Sequence, residues 1–154
     1  MILSALMALA LQTAATKPPA IKLQPVRARL FYKETGRLSD DILQMRDGAW
    51  HNTIIGEGSA EEYADDLLVT VEIKSEGYGD DAHTNASALE ITATNRSGKV
   101  LGRRKFDSVL TSERYGRATS AMWLNDVTCA GEITIMARYE RQVQSAKVVM
   151  RCGE

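Results

Sequence analysis

Gly131-Glu-Ile-Thr-Ile-Met-Ala-Arg-Tyr139 and Ser145-Ala-Lys-Val-Val-Met-Arg-Cys152 decide the fold. In the first, Ile133, Ile135, Ala137 and Tyr139 occupy every second position, and in the second Ala146, Val148, Met150 and Cys152 do the same. Successive side chains of a strand point to opposite faces, so this rhythm buries one face and leaves the other in water. Two such runs separated by a few polar residues predict an antiparallel hairpin with its tip near Gln142.

The rhythm recurs upstream. Residues 26–32 set Val26, Ala28, Leu30 and Tyr32 against Arg27, Arg29 and Phe31. Residues 87–94 place Leu89, Ile91 and Ala93 inward, and the turn residues Asn95-Arg96-Ser97-Gly98 lead into a partner strand over 99–106. Residues 118–124 set Ala118, Ser120, Met122 and Leu124 against Thr119, Ala121 and Trp123, and residues 50–55 and 68–73 read as two further strands. Helical signals are brief. Ser39 suits a cap, with Leu38 stapling onto Leu43 and Gly48 ending the helix, while Ser59 and Glu62 have capping-box spacing before Ala60, Tyr63, Ala64 and Leu67. Residues 107–116 fit either a short helix or a loop.

About seven or eight short strands with one or two short helices predict a mainly β chain, an antiparallel β-sandwich on the immunoglobulin-like plan. The two cysteines, Cys129 and Cys152, lie closer in sequence than the bridge usual on that plan. They share faces with Ile133 and Ile135 and with Val148 and Met150, so both sulfurs should point inward and form a disulfide. With the tip near Gln142, direct opposition of the pair requires a bulge or turn, for which Ala130-Gly131 is suited.

Residues 1–15 carry no charge, run apolar from Ile2 to Leu11 and end in small residues, the pattern of a cleaved signal peptide, although no Lys or Arg precedes the apolar run. The run is shorter than the ~20 apolar residues that cross a bilayer as a helix. The expected organisation is a signal peptide over 1–15, a Pro-rich lead-in over 16–25 acting as tether or lead-in strand, and a single sandwich domain over 26–154. The expected location is periplasmic or secreted, where a disulfide persists.

Nineteen Lys and Arg against twenty Asp and Glu give a formal charge of −1, which supplies no field to gather nucleic acid. The only histidines, His51 and His83, are far apart and have no zinc-like spacing with the cysteines, and no cofactor fingerprint is present. Gly56-Glu57-Gly58-Ser59-Ala60 lacks the spacing of a nucleophile elbow. The polar segment 74–86 reads as a long exposed loop. Its Glu76, Asp80, Asp81 and Asn85 could hold calcium, a hard cation that prefers several oxygens, though a solvated acidic loop is the favoured reading. Exposed aromatics would suit a sugar; of Trp50, Tyr78, Tyr115 and Trp123, the two tryptophans are assigned instead to the core. Lys99, Arg103, Arg104 and Lys105, followed by Arg114 and Arg117, form a basic arm read as a charge-guarded edge strand before an acidic-partner site. Asn85-Ala86-Ser87 and Asn95-Arg96-Ser97 match the glycan-acceptor pattern.

The function expected is non-enzymatic binding of a protein or surface glycan, with Glu57, Tyr78, Asp80, Asp81 and Tyr115 as loop contacts. The alternatives are a hydrolase using paired carboxylates, such as Glu57 with Asp80 or Asp81, and a structural accessory subunit of a cell-envelope assembly.

Overall fold

The computed structural model describes residues 20–45, 55, 62–76, 83–85, 87–111 and 116–151. The terminal hairpin is present: β10 (Gly131–Tyr139) and β11 (Gln142–Met150) pair antiparallel from Gly131↔Met150 to Tyr139↔Gln142. Its tip is therefore Glu140-Arg141, earlier in the chain than Gln142. Glu140 takes a left-handed φ of 52°, which costs a residue bearing a Cβ about 1–2 kcal/mol. Its carboxylate accepts a 2.6 Å hydrogen bond from Ser87 Oγ, a contact that helps fix the tip.

On the other side of β10 lies β6 (Leu89–Asn95), followed by β7 (Val100–Phe106), giving the sheet order β11-β10-β6-β7. Asn95 builds the β6–β7 turn: its Oδ1 accepts from the backbone of Ser97 and of Lys99, and Gly98 supplies a φ of 81°. The second sheet is organised around β4 (Asp66–Glu76). One edge of β4 takes β1 (Ala20–Leu23) and β2 (Arg27–Tyr32) end to end, and the other takes β9 (Arg117–Leu124). The two-residue β3 (Arg37–Leu38) flanks β2.

Leu23 pairs with Ile73 and Arg27 with Thr70, so Gln24, Pro25 and Val26 stand opposite Val71 and Glu72. The extra residue is a bulge, placed where Pro25 has no N–H to contribute to a ladder. A two-stranded ribbon, β5 (His83–Asn85) with β8 (Val109–Thr111), completes the described structure.

The two sheets face each other across a core in which Leu30, Val69, Ile91 and Ile135 are fully buried. Both lateral seams are stitched. At one, Arg104 on β7 donates from Nη1 to the Ala121 carbonyl on β9 and lies 4.7 Å over the Phe106 ring. At the other, Gln142 on β11 accepts from Leu23 N and donates to the Ile21 carbonyl, and Gln144 donates to the Leu23 carbonyl.

An antiparallel β-sandwich is therefore the architecture, with more strands than the seven or eight expected, because β1, β3, β5 and β8 are too short to show a period. Only one helical turn is found among the described residues, a 3-10 turn over Ile42–Gln44 capped by Asp41 rather than Ser39. Ser39 instead accepts from Leu30 N through Oγ and so closes the edge of β2. Residues 62–65 are not helical, and the strand begins at Asp66 because Leu67 already belongs to the buried alternation of β4. The loop expected over 74–86 is shortened at both ends by β4 and β5, and the undecided stretch 107–116 contains β8. The strand expected over 50–55 and the signal segment 1–15 lie outside the described residues, apart from Ile55. No described helix is long and apolar enough to cross a membrane.

Candidate functional site

The alternation of β9 determines where Trp123 goes. Met122 and Leu124 are buried, so the residue between them must face the other way, and Trp123 is 45% exposed on the outside of the five-stranded sheet. Its assignment to the core is thus corrected. Leu68 is its partner on β4, and Arg29 is the partner of Leu68 on β2, so Arg29, Leu68 and Trp123 form a row across three strands. Phe31, on the same face of β2, meets Trp123 edge to face with ring centroids 5.3 Å apart. Such a pair adds about 0.5–1.5 kcal/mol and fixes the indole while leaving much of it open. Leu38, 40% exposed, pairs with Phe31 and extends the apolar strip.

At the end of this face the chain gathers charge. Lys33 Nζ lies 2.8 Å from Asp65, 3.7 Å from Asp66 and 3.8 Å from Asp126, and the three carboxylates lie within 4.8 Å of one another. Asp126 takes a left-handed φ of 52°, and its backbone N–H donates to Asp66 Oδ1, while Val127 N donates to the Asp65 carbonyl. The hydrogen bond from Lys33 to Asp65, reinforced by the other two carboxylates against desolvation, raises the lysine pKa above its ordinary 10.5 and keeps it charged. The chain's own ammonium is thus held among the three acids. That ties the β2–β3 turn to the start of β4 and to the segment after β9.

Two open clefts adjoin the site. One, of about 350 Å3, is lined by Gln24, Pro25, Arg27, Arg29, Asp41 and Gln44 beside β2. The other, of about 470 Å3, lies between the β6–β7 turn and the segment after β9, with Asn95, Lys99, Asn125 and Asp126 in its wall.

Of the residues singled out from the sequence, Glu57, Tyr78, Asp80, Asp81, Tyr115, His51, Trp50, Arg114 and Cys152 lie outside the described residues. The calcium candidates Glu76 and Asn85 belong to different ladders, opposite Ala20 and Val109. The basic arm is largely engaged by the chain itself: Arg103 Nε lies 2.7 Å from Glu90, Lys105 3.0 Å from Asp107 and Arg117 3.8 Å from Glu72. Cys129 lies in the turn before β10. Phe31, Lys33, Asp65, Asp66 and Asp126 were not singled out as site residues. Trp123 and Phe31 carry a usable signal, because the strand rhythm opposes Trp123 to Met122 and Leu124 and Phe31 to Leu30 and Tyr32.

The chain matches no protein-family model and has no significant match among curated proteins. The outer face itself must therefore carry the functional reading.

Proposed function

We propose that this chain is an exported β-sandwich module that binds a glycan on the outer face of its five-stranded sheet and catalyses no reaction. The observation that carries the reading is Trp123, half-exposed and braced by Phe31 on a strand face that also presents Arg29, Thr70 and Leu68. A flat ring covers the apolar face of a sugar while nearby polar groups bond its hydroxyls. Rigid strands keep both in place without ordering a loop. The described carboxylate cluster favours binding over hydrolysis. A pair working as acid and base must be free to exchange protons with a substrate, whereas Asp65, Asp66 and Asp126 are gathered on the chain's own Lys33 ammonium.

Export belongs to the same proposal, as does a disulfide between Cys129 and Cys152. In support of the bridge, Cys129 lies two residues before Gly131 and Cys152 two residues after Met150 in the sequence, and Gly131 and Met150 are the last pair of the ladder. The chain turns between Val127 and Ala130, and Gly131 takes a left-handed φ of 68°, at the site where a bulge or turn was expected.

The test is affinity electrophoresis of the purified domain through gels containing defined polysaccharides. Trp123→Ala should weaken retardation by about tenfold, equivalent to 1.4 kcal/mol, with the fold preserved by near-native circular dichroism. Unchanged retardation of a folded Trp123→Ala protein would remove this face as the binding surface. Retardation by no polysaccharide would favour a protein partner instead.

A further inference from the structure

Arg27 and Arg29 stand two residues apart on the outer face of β2, about 7 Å from each other along the strand. Neither guanidinium makes an ion pair or hydrogen bond within the described structure. Arg37, Arg103 and Arg117 lie against carboxylates of their own chain, whereas Arg27 and Arg29 stand open side by side on one cleft. The two open guanidinium groups border the 350 Å3 cleft together with the carboxamides of Gln24 and Gln44. The single acid in that cleft, Asp41, is engaged by the backbone: its Oδ1 accepts from Ala28 N at 3.0 Å and from Leu43 N at 3.2 Å. Gln24 Nε2 makes only a long 3.5 Å bond, to the Lys22 carbonyl. The cleft is thus donor-rich. A guanidinium presents paired N–H groups whose geometry matches the two oxygens of a carboxylate or sulfate.

The ladder connects this cleft to the aromatic platform. Arg29, Leu68 and Trp123 lie in one row over three adjacent strands, so the charged and aromatic ends are two strand spacings, about 10 Å, apart on one face. We infer that the ligand is an anionic glycan, whose carboxylate or sulfate group is received by Arg27 and Arg29 while Trp123 covers the apolar face of a neighbouring sugar. This rests on the proposed glycan-binding function and adds to it the charge of the ligand and the residues that read it. Arg29 is half-buried and Arg27 is exposed, so the guanidinium groups meet the anion at the rim of the cleft, where added salt weakens the attraction.

The experiment measures affinity electrophoresis in neutral galactan, in polygalacturonate and in a sulfated galactan, for the wild-type chain, for the double variant Arg27→Gln/Arg29→Gln and for Trp123→Ala. Melting curves confirm that each variant is folded. The expected result is wild-type binding at least tenfold tighter to one charged polymer than to galactan, weakened about tenfold in each variant and reduced by salt. Which charged polymer is retained distinguishes a carboxylate from a sulfate. Equal binding to neutral and charged polymers, unaffected in the arginine variant, overturns the inference and leaves glycan binding intact. Charged-polymer binding that survives Trp123→Ala but fails in the arginine variant marks simple ion exchange and overturns the platform. Binding to none of the three sinks both readings.

Discussion

Gly102 on β7 faces side chains of β9 with no room for a Cβ, and replacing it with alanine tests how tightly that seam is closed. Gly102 pairs with the buried Ala93 and shares its inward orientation. A Cβ built there intrudes on Leu124 Cδ2 and lies 3.5 Å from Met122 Sδ. Leu124 is 1% exposed and Met122 3%, so neither side chain can turn into solvent. Forcing a methyl into a filled core costs about 1–3 kcal/mol, offset by about 0.5–1 kcal/mol from replacing a strand glycine. Gly102→Ala should therefore destabilise the chain by about 1 kcal/mol, moving the urea midpoint down by about 0.5 M at a slope of about 2 kcal/mol/M. The decisive comparison is a double-mutant cycle. Leu124→Ala alone should cost about 2–5 kcal/mol by opening a cavity; in that background the added methyl has room, and Gly102→Ala should become neutral or stabilising. An equal cost of Gly102→Ala in both backgrounds, or a higher midpoint in the single variant, would show that the seam is not packed as described.

Lys33→Met should remove an alkaline limb from the stability curve. Because the lysine pKa is raised on folding, its contribution is complete below the ordinary value of 10.5 and is lost as pH rises through the raised value. Wild-type melting temperature should fall more steeply than that of Lys33→Met in that alkaline window, and parallel curves would contradict the ion cluster. For the proposed Cys129–Cys152 bridge, Cys129→Ser and Cys152→Ser should each lower unfolding free energy by about 3 kcal/mol, as expected for a closed loop of this length. Mass spectrometry of the unreduced protein should show both thiols blocked to alkylation.

Burial was legible wherever the alternation ran for at least six residues. Leu89, Ile91 and Ala93, or Ile133, Ile135 and Ala137, could be placed inward from spacing alone, and all are fully buried. Short pairings were not legible, since β3 has two residues and β5 three, fewer than a period needs to repeat. Capping chemistry misled for a related reason. Ser39 and Asp41 both suit a cap, and the choice between them was made by the unpaired edge of β2, which takes Ser39 Oγ at Leu30 N and Asp41 Oδ1 at Ala28 N. The carboxylate cluster was invisible because Lys33, Asp65 and Asp126 meet only after β2, β4 and β9 are paired in register.

The same register explains why the outer face holds the functional reading while the inner face holds the fold. Inward positions of β2, β4 and β9 are apolar except for the small Ser75 and Ser120, because a larger polar group there would be buried without a partner; outward positions carry no such constraint. Arg27 and Arg29 nevertheless stand without a described ion pair, and Trp123 leaves nearly half its surface in water. Stability alone would favour pairing the guanidinium groups and covering the indole, as the chain does for Arg103 and for Tyr139, which is 1% exposed. A one-residue slip of β9 against β4 would carry Trp123 inward and separate it from Arg29. The seam at Gly102 and the stitch from Arg104 to the Ala121 carbonyl hold β9 against that slip. Relaxing the seam should thus disorder the platform before it unfolds the core.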